Sequence, residues 1–127
     1  MRIALAVLML LHGLAHLPGV VGSWRLAPLE GMPYKTTLLA GHVDVGDAGM
    51  RVMGLVWLLT ALGFVASAAG AFADRSWWTS AAVALALVSL TVSALEWPAA
   101  RIGVFVNLAL LAALLLGARF GWLGSAA

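Results

Sequence analysis

The sequence predicts an all-α integral membrane protein, an antiparallel bundle of four transmembrane helices with a small β-hairpin in the loop between helices 1 and 2. Hydrophobic residues make up 64% of the 127 residues and charged residues only 9%, against roughly 25% charged in soluble domains. The mean hydropathy is +1.06, and the apolar residues form four runs of about 20 residues, the length that crosses a bilayer. We expect one domain, 1–127, with spans at about 3–21, 48–72, 77–96 and 99–118 and a loop at 23–47.

The first span contains the stretch Leu10-Leu-His-Gly-Leu-Ala-His-Leu-Pro-Gly19, which places His12 and His16 four residues apart. Positions i and i+4 share one face of a helix. Ionisable groups inside a membrane segment are costly and usually face a protein interior. Pro18 predicts a kink or an end near the far side of this helix. Arg2 followed by an apolar run also matches a secretory signal peptide, so an uncleaved helix and a cleaved leader are both considered.

The long loop is predicted to form a hairpin. Residues 34–39 and 42–45 are two β-prone runs about the pair Ala40-Gly41. Apolar side chains in these runs need a surface to rest on, so we expect the loop to be ordered over the mouth of the bundle. Asp47 is predicted to cap the second span.

The third and fourth spans supply the remaining polar groups. Ser89, Ser93 and Glu96 follow an i, i+4, i+7 spacing and share one face of the third span, and Asn107 interrupts the aliphatic fourth span. At about 1.5 Å per residue, these groups and the histidines all fall in the membrane half nearest the long loop. We therefore expect a polar cleft between helices 1, 3 and 4, lined by His12, His16, Ser89, Ser93, Glu96 and Asn107.

Several kinds of chemistry fit such a cleft. The leading hypothesis is a membrane accessory or ligand-binding protein for a quinone-like or other lipophilic ligand. An alternative is a small membrane enzyme that uses a histidine and Glu96 as acid and base. His12, His16 and Glu96 are also a candidate metal site, and a haem with a single His ligand is compatible with the pattern. The same side chains can instead serve only to hold the helices together by hydrogen bonds.

Composition narrows the range of cofactors and partners. The absence of cysteine excludes disulfides, iron–sulfur clusters and thiolate metal sites. The seven Lys and Arg are scattered and form no basic patch, so nucleic acid is not expected as a partner. The expected partners are the lipid bilayer and a membrane protein or a second copy of this chain.

The orientation is only weakly encoded, because the Lys and Arg residues divide almost evenly between the two sides. A long loop with three acidic residues is more often exported. We therefore expect both termini in the cytoplasm, in a cytoplasmic membrane of bacterial type.

Arg2 opens the first span, and the pair His12-Gly13 follows about three turns later. The second span contains Gly54-Leu-Val-Trp-Leu-Leu-Thr-Ala-Leu-Gly63. This arrangement resembles the DoxX-like family of small four-span membrane proteins, although His16 stands where such sequences often carry Lys and the first connection is longer. The resemblance implies an antiparallel four-helix bundle and, in some members, an accessory subunit of a quinone-linked redox enzyme.

Overall fold

The computed structural model describes residues 1–124 and contains four helical segments that are long and apolar enough to cross a membrane. The second segment packs against the first and the third, and the third and fourth segments pack against each other. The predicted four apolar helical segments are therefore confirmed. In chain order the helices are α1 (Arg2–Leu14), α2 (Leu17–Ser23), α3 (Gly46–Phe72), α4 (Trp78–Leu95) and α5 (Arg101–Arg119).

The first segment is broken into α1 and α2, where the sequence predicted one helix over 3–21. Pro18 has no N–H to donate to the carbonyl of Leu14, and its ring crowds that carbonyl. The backbone N–H of His16 donates three residues back, over 3.1 Å, rather than four residues back to His12. The carbonyl oxygen of His12 therefore loses its helical partner.

The other three segments agree with the predicted spans to within two residues at each end. The prediction that Asp47 caps α3 is wrong, because the N-cap position is Val45. Asp47 lies in the first turn of α3, where its carboxylate accepts a hydrogen bond from the hydroxyl of Tyr34 (2.6 Å). The carboxylate of Asp44 accepts from the first backbone N–H of the helix, that of Gly46 (2.9 Å).

The loop carries the predicted antiparallel hairpin, formed by β1 (Thr37–Leu38) and β2 (Val43–Asp44). Its strands are shorter than the predicted runs 34–39 and 42–45, and four residues rather than two connect them. The turn is longer than predicted because two of its residues direct their backbone N–H groups away from the opposite strand.

These two residues are Leu39 and Ala40, whose φ angles are positive (52° and 55°). Their N–H groups donate to the carbonyls of Leu95 (2.7 Å) and Trp97 (3.0 Å) at the end of α4. The loop is thus tied to the bundle and closes one end of it. Beneath the hairpin, Leu38 is buried in a core that also contains Val20, Met50, Met53, Trp57 and Val92.

A second apolar core fills the opposite end of the bundle. Its largest members are fully or almost fully buried: Met9, Phe64, Trp78, Leu110, Leu114 and Leu123. At this end the side chains of Arg2 and Asp74 form an ion pair between the start of α1 and the turn after α3. The two cores leave a polar layer between them.

Replacing Leu38 with Ala is expected to lower the free energy of unfolding by about 2–5 kcal/mol, because truncating a buried leucine leaves a cavity. Leu39→Ala is the matched control, since the neighbouring side chain is 41% exposed. Thermal unfolding in detergent measures both variants, and trypsin cleavage after Lys35 reports whether the loop has left the bundle. Equal losses in the two variants would show that the loop does not rest on this core.

Candidate functional site

Four of the predicted site residues meet between the first segment, α4 and α5 in a closed ring of hydrogen bonds. Nε2 of His12 lies 3.0 Å from Oδ1 of Asn107, and Nδ2 of Asn107 lies 2.8 Å from Oγ of Ser89. That oxygen lies 2.6 Å from Nε2 of His16, and Nδ1 of His16 lies 2.6 Å from the backbone oxygen of His12. All four side chains are buried, and together they are called the polar ring below.

The break in the first segment makes this ring possible. The carbonyl oxygen of His12, which the break deprives of its helical partner, is the acceptor for Nδ1 of His16. A buried carbonyl without a partner costs about 1–3 kcal/mol. The imidazole of His16 therefore takes the place of a backbone N–H, and this contact orients the ring of His16 toward Ser89.

Two backbone carbonyls set the direction of the hydrogen bonds, because a carbonyl oxygen can only accept. Nδ1 of His16 faces such an oxygen and must carry the hydrogen, so in the neutral ring its Nε2 accepts from the hydroxyl of Ser89. Nδ2 of Asn107 faces the carbonyl of Gly103 (2.8 Å), so the amide oxygen of Asn107 faces His12 and accepts from its Nε2–H. In the neutral ring of His12, Nδ1 is then an acceptor.

A cavity of about 710 Å³ lies beside the polar ring, between the first segment, the start of α5 and the loop. Its volume lies within the range of small-molecule sites, roughly 300–1,000 Å³. His12, His16, Ser93 and Glu96 line it, whereas Ser89 and Asn107 lie behind the lining, within the ring. The apolar or small lining residues include Ala15, Pro18, Gly19, Met50, Trp57, Ala100, Ile102 and Val106.

Charged groups gather where the loop meets the cavity. Nζ of Lys35 lies 3.8 Å from Oε2 of Glu96, which follows the last residue of α4, and Arg101 lines the same cavity. Burial raises the pKa of Glu96 above its ordinary value, while the nearby ammonium group of Lys35 opposes that shift. The cavity therefore has a hydrogen-bonded inner wall and a charged rim.

Four residues that line the cavity were not among the predicted site residues: Tyr34, Lys35, Trp57 and Arg101. The position of Tyr34 depends on the loop: its hydroxyl donates to Asp47, and this hydrogen bond raises the pKa of Tyr34. No local sequence pattern predicts this contact between Tyr34 and Asp47.

The sequence did contain one indication of a bulky neighbour near His16, namely Gly19, which lies three residues after it. A Cβ atom at Gly19 would come within 2.5 Å of Cδ2 of Trp57, so a bulky side chain crosses the helix there. The ring of Trp57 also meets the ring of His16 edge-on, with the centroids 5.2 Å apart. Gly19 thus allows the aromatic wall of the cavity to approach the histidine.

The predicted metal set of His12, His16 and Glu96 is not brought together as three ligands. Within residues 1–124, no group of three or more His, Cys, Asp or Glu side chains is placed to hold a metal ion. The physical reason is that both ring nitrogens of His16 are engaged in the polar ring and Glu96 pairs with Lys35. Of the ring nitrogens of the two histidines, Nδ1 of His12 alone makes no hydrogen bond with the described residues.

Removing either His12 or Asn107 is expected to cost about 1–3 kcal/mol in the free energy of unfolding, because each leaves a buried partner unsatisfied. The double variant His12→Phe/Asn107→Leu should lose less than the sum, by at least about 0.5 kcal/mol. His12→Phe with Thr91→Val is the control pair, since Thr91 is exposed and bonds to its own helix at Leu87. Additive losses in the first pair would mean that the two side chains do not interact.

Glu96→Gln is expected to stabilise the protein more near pH 7 than near pH 4. A carboxyl group whose pKa is raised by folding binds its proton more tightly in the folded state, so stability falls as the pH rises through that pKa. Glutamine escapes this loss, and at low pH both side chains are neutral. Thermal unfolding in detergent across this pH range measures the difference; a difference in Tm that is independent of pH would contradict the burial of the carboxyl group.

No protein-family model, no curated protein and no solved structure matches the chain. The arrangement of the polar ring and the cavity is therefore the basis on which a function is proposed.

Proposed function

We propose that this chain is an integral membrane protein that binds a small lipophilic ligand in the cavity beside the polar ring, as an accessory subunit in a bacterial-type cytoplasmic membrane. The cavity itself carries the proposal. It has a volume of about 710 Å³ and a largely apolar lining, with a few polar groups at its inner wall and its rim. Small-molecule sites typically combine a largely apolar enclosure with a few placed polar groups in this way.

The outer faces of the helices support the membrane location. Large apolar side chains are exposed along them; Ile102 is 73% exposed and Phe105 62% exposed. Contiguous apolar surface of this kind is disfavoured in water and suits a lipid environment. Four spans that alternate in direction place both termini on one side, and we assign that side to the cytoplasm.

The role of an accessory subunit requires a surface for a partner. Helix α5 is the least buried of the four apolar segments, so its outer face is the proposed contact for a membrane protein partner or a second copy of this chain. The resemblance of the first two spans to DoxX-like proteins is in keeping with this role.

The lining favours a ligand with an apolar body and a compact polar head, of which a quinone in its reduced, hydroxyl-bearing form is the example suggested by the DoxX-like resemblance. Trp57, Met50 and Val106 provide apolar surface for the body, and His12 provides a polar contact for the head. The first segment and α5 pack against each other far less than the other neighbouring segments do. A tail would pass between them to the lipid.

A second candidate function is favoured by one observation, namely that His12 and Glu96 line the same cavity. An acceptor nitrogen and a protonatable carboxyl group beside one substrate can act as base and acid. This alternative is a small membrane enzyme. Under it, Glu96→Gln would abolish turnover of a bound substrate while leaving its binding nearly intact.

Saturable binding of decylubiquinol, the reduced form of decylubiquinone, to the purified protein is expected to quench its tryptophan fluorescence, because Trp57 lines the cavity. Gly22→Phe should weaken this binding by about tenfold or more, because Gly22 lines the cavity and has room for a side chain, with the nearest atom 3.8 Å from an added Cβ. Ala66→Phe, on the exposed face of α3, is the matched control and should bind normally. Binding that is unsaturable, or equally weakened by both substitutions, would refute the proposed site.

A further inference from the structure

We infer that the ligand of this cavity carries a hydroxyl group that donates a hydrogen bond to Nδ1 of His12. The site would then select lipophilic phenols and alcohols over ethers and other molecules whose polar atoms only accept. This inference rests on the proposed function, because it names the class of ligand that the cavity takes. It follows from the direction of the hydrogen bonds in the polar ring.

The backbone of α5 determines which nitrogen of His12 carries the hydrogen. The carbonyl of Gly103 holds Nδ2 of Asn107 at 2.8 Å, which turns the amide oxygen of Asn107 toward Nε2 of His12. Rotating the amide by half a turn would place its oxygen against the carbonyl oxygen, and two acceptors would face each other without a hydrogen. The amide therefore keeps its orientation, and His12 keeps its hydrogen on Nε2.

The opposite side of the ring reinforces this arrangement. The second amide hydrogen of Asn107 goes to Oγ of Ser89 (2.8 Å), and the hydroxyl hydrogen of Ser89 goes to Nε2 of His16 (2.6 Å). Reversing any one bond would require the others to reverse, but the carbonyl of His12 prevents Nδ1 of His16 from becoming an acceptor. The ring therefore has one consistent direction in its neutral form.

Nδ1 of His12 is left as an acceptor without a partner among the described residues, on a side chain that lines the cavity. A ligand that brings only carbonyl or ether oxygens would place a lone pair against this nitrogen. A ligand hydroxyl would supply a hydrogen-bond donor to this nitrogen of a buried side chain. Ser93, on the same lining, is a hydroxyl that can donate or accept, so it does not select between the two classes.

The selectivity is tested with a matched pair of probes, 4-nonylphenol and its methyl ether 4-nonylanisole, titrated into the purified full-length protein in detergent. The phenol is expected to bind about tenfold more tightly than the ether, the size of effect expected from one hydrogen bond in an apolar site. His12→Phe should reduce this ratio to near one. Thr60→Val is the control and should keep the ratio, because Thr60 is buried outside the cavity and bonds to Val56 in its own helix.

The outcomes separate this inference from the proposed function. Saturable binding of both probes with equal affinity would retain the lipophilic site and overturn the selection of a hydroxyl donor. Failure of both probes to bind the wild-type protein would overturn the proposed function itself. A ratio that survives in His12→Phe would show that another group reads the hydroxyl, and would equally overturn the assignment to His12.

A second measurement leaves every residue of the polar ring unsubstituted. In protein labelled with ¹⁵N-histidine, protonated and unprotonated ring nitrogens resonate far apart. We expect His12 to be protonated at Nε2 and His16 at Nδ1, with His42→Gln removing the signals of the exposed loop histidine. The phenol should shift the Nδ1 signal of His12 and the ether should not; a His12 ring protonated at Nδ1 would overturn the inference.

Discussion

The carbonyl oxygen of His12 is the point on which the inner part of this structure depends. Pro18 breaks the first segment, and the break leaves this oxygen without a backbone donor. His16 then turns its ring to supply one, and its other nitrogen reaches Ser89 on α4. Asn107 on α5 completes the circuit. The break in the first segment thus leads to hydrogen bonds that connect this segment with α4 and α5. The first segment and α5 otherwise pack little against each other.

The position of the polar ring explains how the bundle accommodates buried polar groups. Apolar cores fill the bundle on both sides of it, one around Phe64 and Trp78 and the other around Leu38 and Met50. The four side chains of the polar ring lie in one layer, where they satisfy one another. Outside this layer, Oγ of Ser67 and Nε1 of Trp78 are buried without a hydrogen-bond partner among the described residues. The cavity opens beside this layer, so a ligand would meet a rigid, hydrogen-bonded wall on one side and apolar surface elsewhere.

Much of this arrangement follows from spacing in the sequence. The i, i+4 relations of His12 with His16 and of Ser89 with Ser93 place their side chains on shared faces, and the lengths of the apolar runs give the helix ends closely. The loop contacts do not follow from such patterns. Lys35 reaches Glu96 because backbone N–H groups of the hairpin bond to the end of α4. The residues that donate them, Leu39 and Ala40, have positive φ angles, which the residue types do not predict. The closing of the ring likewise depends on tertiary packing, since nothing near Asn107 in the sequence specifies a histidine as its partner.

The attachment of the hairpin to the end of α4 also affects how a ligand would arrive. Two backbone hydrogen bonds hold the loop across the end of the bundle, while the flank between the first segment and α5 has little packing, with Ile102 on its edge. Entry from the side would make the bilayer, and not the surrounding water, the phase from which the protein draws its ligand. Occupancy would then follow the mole fraction of the lipophile among the lipids, and a trace amount in water would suffice wherever partitioning concentrates it in the membrane.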